Sequence, residues 1–275
     1  MEVMWPKRTF YWHEGDTGYA SVPFTWCLPD VKAEIEQSLF FKTWRVGGPA
    51  AALMPDYLAG MEGVTLGGDM PGILQRINPL ATRTTVGCPN KCGFCGVKRI
   101  EPEYRELNDW PNLPIVCDNN LLAASNEHIE RVCVLLRHHD TCDIQGVDPA
   151  LVLPWHAQRF SQLRNPVLRM GCDTAEERDT WLSAYECLRA QYLPKKAIRA
   201  YCLVGFDSDP AEAWDRCEWV TAHGVLVNVQ WFHELDALEY NAVTDKQREL
   251  GWNEAEQRNI MGWYYQHRGK KGPLK

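Results

Sequence analysis

No uninterrupted apolar run approaches the ~18 residues of a membrane-spanning helix, which argues against a helical membrane protein. The start, Met1-Glu2-Val3-Met4-Trp5-Pro6-Lys7-Arg8, lacks the apolar stretch of a signal peptide, so the expected compartment is the cytoplasm. Low-complexity segments and exact repeats are also missing, and the 45% hydrophobic content excludes a mostly disordered chain or a fibre. An excess of positive charge is absent too: 29 Lys plus Arg face 36 Asp plus Glu, a formal net charge of −7. That balance argues against a broad nucleic-acid or anionic-membrane surface. Cysteine, by contrast, is abundant and odd in number, at 11 in 275 residues. Without an export signal, reduced thiols or metal ligands are the better reading than a disulfide framework.

From about residue 82 strand-like and helix-like stretches alternate. Candidate strands begin near Thr82, Leu113, Cys142, Pro166, Ile198 and Val225. They lie roughly 24–32 residues apart, close to the ~30 residues of one βα unit, so a series of parallel strands with crossover helices is expected. The helices carry their own marks. Ile129, Val132, Cys133 and Leu136 form one apolar face after Ser125. Thr174 with Glu177, and Asp209 with Glu212, read as capping boxes. Pro210 takes the first helical position and Gly224 follows the end. Asn253 precedes a last helix carrying Ile260, Met261 and Tyr264. Six units fit, where a full eight-unit barrel takes ~250 residues. An open doubly wound sheet and a partial six-unit barrel both remain. Residues 1–80 differ: Ser21–Leu28 and Thr43–Val46 read as strands, with Val31, Ile35 and Leu39 marking a helix between them, before Gly47-Gly48-Pro49 breaks the pattern. The expected division is an N-terminal βαβ extension (1–80), a core (81–250), and a C-terminal helix with a basic tail (251–275).

The chemistry concentrates in Cys88-Pro89-Asn90-Lys91-Cys92-Gly93-Phe94-Cys95. This C-x3-C-x2-C run follows the first strand of the series. Three adjacent thiolates suit one soft metal centre and fall one ligand short of a closed four-coordinate site. A [4Fe–4S] cluster held this way keeps one iron open for a substrate amine and carboxylate. A structural zinc would need a fourth ligand from elsewhere, and no His or Cys lies within about twenty residues of the run on either side.

At these residues the sequence resembles the radical SAM superfamily, whose signature is C-x3-C-x-aromatic-C, with Phe94 in the aromatic position. The resemblance covers about residues 81–250. It implies a partial (βα)6 TIM-like barrel in which Cys88, Cys92 and Cys95 ligate a [4Fe–4S] cluster. The open iron would bind S-adenosylmethionine. Reductive cleavage would give methionine and a 5′-deoxyadenosyl radical that abstracts hydrogen from a substrate, with electrons from a low-potential donor of flavodoxin or ferredoxin type. By the same resemblance the backbone at Phe94 sits against the adenine. Asp118 and Asn119, at the end of the second strand, take the place of a Gly-Gly-Glu that contacts the SAM amino group. Arg169 and Asp173 end the fourth strand, where ribose or carboxylate contacts fall. Gly205, with Phe206, is similar to an adenine-contacting turn.

Strand alternation adds a reading of its own. Val225, Val227, Val229 and Trp231 share one face, while Asn228 and Gln230 share the other. Arg169 with Asp173, and Asp143 with Gln145, repeat the pattern. Such polar groups facing inward would line a binding cavity. Cys117, Cys142, Cys172 and Cys202 read as small buried hydrophobes. His233, Glu234 and Asp236 read as solvated, and His138-His139 as partners of a helix dipole.

Trp44–Pro49 and Met54–Leu58 look like the late part of the cobalamin domain in one radical SAM subclass. The Asp-x-His-x-x-Gly loop that supplies a cobalt ligand is missing, so cobalamin is not expected. The expected function is a radical SAM enzyme acting on a small molecule. The alternatives are a peptide- or nucleotide-modifying member, and a non-catalytic iron–sulfur or zinc-binding scaffold or sensor.

Overall fold

The computed structural model describes residues 5, 7–68, 70 and 72–267, the last four for their backbone only. The basic tail 268–271, the Tyr264 side chain and part of the start Met1–Arg8 lie outside the described residues. The chain divides into two compact units. One takes the chain through Leu80 with Lys91–Pro102 and His233–Asn241; the other takes Ala81–Asn90, Glu103–Phe232 and the chain from Ala242 onward.

The first unit is built on a four-stranded sheet of order β1-β2-β3-β4. The hairpin β1 (Phe10–Glu14) and β2 (Thr17–Ser21) is antiparallel, and β3 (Thr43–Gly47) and β4 (Val64–Leu66) add in parallel. Its helices are α1 (Leu28–Gln37), α2 (Pro49–Leu53), α3 (Ile73–Ile77) and α4 (Val97–Ile100). The βαβ expectation holds for β2-α1-β3, but two boundaries need correction. Ser21–Leu28 is not a strand: β2 ends at Ser21, a 3-10 turn spans Thr25–Cys27, and α1 begins at Leu28. Pro23 has no N–H for a ladder, and Pro29 suits the first turn of a helix. Leu39 lies beyond α1 and is 93% exposed, whereas Val31 is buried in this unit's core with Val22, Leu28, Trp44, Val46 and Leu58.

The second unit holds a six-stranded, all-parallel sheet. Its strands are β5 (Ala81–Thr82), β8 (Ile115–Val116), β9 (Cys142–Val147), β10 (Pro166–Gly171), β11 (Ile198–Val204) and β12 (Leu226–Trp231). A two-stranded ribbon, β6 (Thr85–Val86) against β7 (Arg105–Glu106), lies in sequence between β5 and β8. The crossovers contain α5 (Asn126–Leu136), α6 (Pro154–Ser161), α7 (Arg178–Ala190) and α8 (Pro210–Ala222); α9 (Asp245–Glu249) and α10 (Glu254–His267) follow β12. All six expected strands of the core are present. The spatial order β5-β8-β9-β10-β11-β12 is strictly that of the chain. A doubly wound sheet reverses its order at a switch point, so that alternative is excluded. The barrel is not established either, because β5 and β12 are not hydrogen-bonded to each other and the sheet is open. The protein is α/β, with a singly wound parallel sheet.

Successive crossovers of one hand place their helices on one face. The burial pattern agrees: along β9 to β12, fully buried residues alternate with half-open ones. Ile144, Leu168, Met170, Ile198, Ala200, Val227 and Val229 pack with Ile129, Val132, Phe160, Trp181, Leu188 and Val220 into one core. Each such large apolar side chain contributes about 1.5–3 kcal/mol. Helix starts follow local chemistry. Ser125 Oγ accepts from His128 N at 3.3 Å, and Asp209 Oδ1 accepts from Glu212 N at 2.8 Å. The Thr174–Glu177 box forms only in part: the Glu177 carboxylate accepts the Thr174 N–H (3.3 Å), as a box requires, but shares it with the Asp173 N–H (2.6 Å), and α7 begins only at Arg178. Arg216 on α8 is fully buried. Its guanidinium meets both Glu212 carboxylate oxygens (2.9 and 3.1 Å) and donates to the carbonyls of Cys172 (2.8 Å) and Leu203 (3.0 Å), tying α8 to the ends of β10 and β11.

Candidate functional site

The cysteine run is the connection between the two strands of the ribbon, whose register pairs Thr85 with Glu106 and Val86 with Arg105. Cys88 belongs to the second unit; Cys92, Phe94 and Cys95 belong to the first. Cys92 is exposed, and Cys88 and Cys95 are half-buried. The Cys95 N–H donates to Cys92 O at 3.1 Å, closing a tight turn around the half-buried Phe94. Six other cysteines are buried, and burial pushes the Cys133 and Cys142 thiols up to about 12. Contact with the Cys172 thiol, then with Cys217, and burial raise Cys202 well above the ordinary range. The motif cysteines therefore differ in kind from these inert ones: they are accessible soft donors. Among the described residues no group of three or more His, Cys, Asp or Glu is gathered closely enough to hold a metal ion. The fit of an iron–sulfur cluster rests on donor chemistry. It rests also on the Tyr104 hydroxyl, which is buried without a hydrogen-bond partner. Burial first, then the nearby charges of Glu106, Asp118 and Cys88, hold its ionisation well above the usual range, leaving a proton donor near the first thiol.

The ends of β8 and β9 brace this loop. Asp118 is 3% exposed, and its carboxylate accepts from Thr84 N (2.6 Å), Thr84 Oγ1 (2.5 Å) and Thr85 N (3.0 Å), fixing the chain three residues before Cys88. Burial raises its pKa against the pull of those hydrogen bonds. Thr84 Oγ1 also meets His128 Nε2 at 3.0 Å, and His128 Nδ1 lies 3.4 Å from Glu106. Asn119 is exposed and its amide reaches Gly87 O at 3.5 Å, beside Cys88. Asn120 and Asn90 both donate to Asp148 Oδ2, at 3.0 and 2.7 Å. β9 can approach β8 this closely because residue 146 is glycine: a Cβ there would stand 2.1 Å from Asp118 O. Asn90 and Asp148 escaped the sequence reading. The available signal was position, since Asp148 follows a strand directly and Asn90 stands inside the cysteine run.

The sheet face away from the helices carries Asp143 and Gln145 on β9, Arg169 on β10, Arg199 and Tyr201 on β11, and Asn228 and Gln230 on β12. All are at least partly open. Arg169 forms a two-pronged ion pair with Asp143 (2.7 and 2.6 Å) and donates to Tyr201 Oη at 3.1 Å. Arg199 stands opposite Arg169 in register. Among the described residues it has no ion-pair or hydrogen-bond partner, so this face carries one unmatched cation. Asp173, just past β10, lies over Gly171, its Oδ2 2.9 Å from where a Cβ would be, and Oδ1 accepts from Leu203 N at 3.0 Å. Burial, then the neighbouring Glu177 charge, push its pKa up to about 6. Gly205 has a left-handed backbone (φ +82) and a ring carbon of Trp231 2.8 Å from its missing Cβ, and its carbonyl accepts from Gln247 Nε2 at 2.9 Å. Elsewhere, the expected polar residues are anchored: His233 stacks on Tyr240 and packs at a tilt against Trp26, and His139 pairs with Asn112 at 2.9 Å.

No protein-family model matches the chain, and no curated protein sequence matches it. Among solved structures, the chain is similar to the cobalamin-dependent S-adenosylmethionine radical enzyme OxsB, determined with aqua-cobalamin and S-adenosylmethionine bound. The identity is 10% and the TM-score 0.43; the match covers 88% of this chain and 46% of OxsB, so it spans less than half of that enzyme. Among the described residues no helix is long and apolar enough to cross a membrane.

Proposed function

We propose that this chain is a radical S-adenosylmethionine enzyme acting on a small molecule, with the six-stranded sheet as the wall of a partial (βα)6 barrel. What carries the reading is the C-x3-C-x-Phe-C run, its thiols accessible, placed after the first strand of a singly wound parallel sheet. Cys88, Cys92 and Cys95 would hold a [4Fe–4S] cluster, with Tyr104 and Asn119 beside the first ligand. When bound, the cluster would supply one electron to the sulfonium of S-adenosylmethionine, breaking the C5′–S bond. A low-potential donor of flavodoxin or ferredoxin type belongs to the proposal. Phe94, Asp118, Asn119, Arg169, Asp173 and Gly205 are the residues proposed around S-adenosylmethionine. Of these, Asp118 would act indirectly, since its carboxylate already serves the Thr84–Thr85 backbone. The open polar face of β9 to β12 would receive the substrate, and its unmatched Arg199 favours one bearing a carboxylate or phosphate.

The test is anaerobic reconstitution with iron and sulfide, followed by reduction, addition of S-adenosylmethionine and mass spectrometry for 5′-deoxyadenosine, with Cys92→Ala alongside. Iron near four per chain and 5′-deoxyadenosine in the parent, both absent in the variant, are expected. A parent that takes up a single zinc and no cluster would overturn the reading in favour of a metal scaffold.

A further inference from the structure

The bridge from Asp148 to Asn90 does something that the local fold does not require. Asp148 caps the short turn after β9 with one oxygen, Oδ1, which accepts from Ala150 N at 3.0 Å. Oδ2 is left over, and it takes two side-chain amides, Asn90 Nδ2 at 2.7 Å and Asn120 Nδ2 at 3.0 Å. Asn120 is buried just past β8, and its side-chain oxygen Oδ1 has no hydrogen-bond partner. Asn90 is exposed and stands between Cys88 and Cys92. A loop asparagine at the surface would ordinarily be solvated. Here its amide is held by a carboxylate fixed to the sheet 58 residues away. Charge-assisted bonds of this kind are about twice as strong as neutral ones.

We propose that Asp148 is the positioning residue of the cysteine loop: through Asn90 it pins the segment between the first two thiols to the ends of β8 and β9, and so retains the cluster. The proposal rests on the cluster reading above. Asp148 touches neither thiol nor cluster; it acts through Asn90.

Iron content, the electron paramagnetic resonance signal with S-adenosylmethionine, the rate of iron loss to a chelator and the melting temperature would be measured on reconstituted full-length parent, Asp148→Ala, Asp148→Asn, Asn90→Ala and the Asn90→Ala/Asp148→Ala double variant. Loss of a charge-assisted hydrogen bond is expected to speed iron loss roughly tenfold in Asp148→Ala and Asn90→Ala. The double variant should be no worse than Asp148→Ala alone. Asp148→Asn keeps an oxygen for both amides but loses the charge and the cap, so its iron loss should fall between those of the parent and Asp148→Ala, with a slightly lower melting temperature. Asn90 is exposed, so its variant remains informative if Asp148→Ala fails to fold. Parent-like iron retention in both single variants would overturn the proposal and leave the cluster reading standing. Effects that simply add in the double variant would also overturn it. A parent that binds no cluster would overturn the reading and this proposal together.

Discussion

Replacing Asp173 by Asn is expected to stabilise the protein at neutral pH and to do nothing in acid. The carboxyl is pushed from its ordinary 3.8 to about 6 by burial and by Glu177. Below about pH 4 it is protonated in the folded and unfolded chains alike, and its contribution to stability is complete. As the pH rises from about 4 to 6 the unfolded chain ionises first and that contribution is withdrawn, at about 1.4 kcal/mol per pH unit. The full cost is about 3 kcal/mol, trimmed to roughly 1–3 kcal/mol because Asp173 is partly open to solvent. Asn keeps an oxygen for Leu203 N and presents an amide to Glu177 instead of a second charge. Melting temperatures of parent and variant between pH 4 and pH 8 would read the difference. It should vanish in acid and reach roughly 3–8 °C at pH 8. A gap independent of pH would refute the ionisation argument, as would a variant less stable than the parent at pH 8.

Two further predictions concern the frame that carries the site. Gly146→Ala would drive a Cβ into the Asp118 carbonyl, and since both partners are backbone, a loss of about 3 kcal/mol or failure to fold is expected by denaturant melt. Arg216→Met would leave Glu212 and the carbonyls of Cys172 and Leu203 without their buried donor, a cost of about 3–5 kcal/mol by the same measurement. A melt unchanged from the parent would show that solvent or a neighbouring side chain replaces the guanidinium.

The elements most legible in the sequence were those set by short-range chemistry. Ser125 and Asp209 start their helices because a side-chain oxygen meets an N–H three residues on, and that spacing is visible in the chain. The alternation through Val227, Asn228, Val229 and Gln230 is likewise the period of the pleat, and it shows which face the helices cover. Ser21–Leu28 misled because an apolar run does not disclose whether it ends a strand or opens a helix; Pro23 and Pro29 were the cues. Glu177 misled for a different reason: it takes the Thr174 N–H that a capping box calls for, but the Asp173 N–H shares that carboxylate and the helix starts only at Arg178.

The sequence by itself marked Cys88, Cys92 and Cys95 as a candidate donor set, because the three thiols lie close together in the chain and their chemistry needs no folding to be read. It also determined the number of parallel strands and the polarity of their two faces. Only the tertiary structure decided the winding of the sheet, since strand order is a property of pairing and not of periodicity. Only it could join Arg169 to Asp143, leave Arg199 unmatched, bury Asp118 beneath Thr84, and reach from Asp148 to Asn90. Each of those contacts spans 26 to 58 residues. At such separations a side chain's neighbours are set by how the strands stack, which no local pattern of residues encodes.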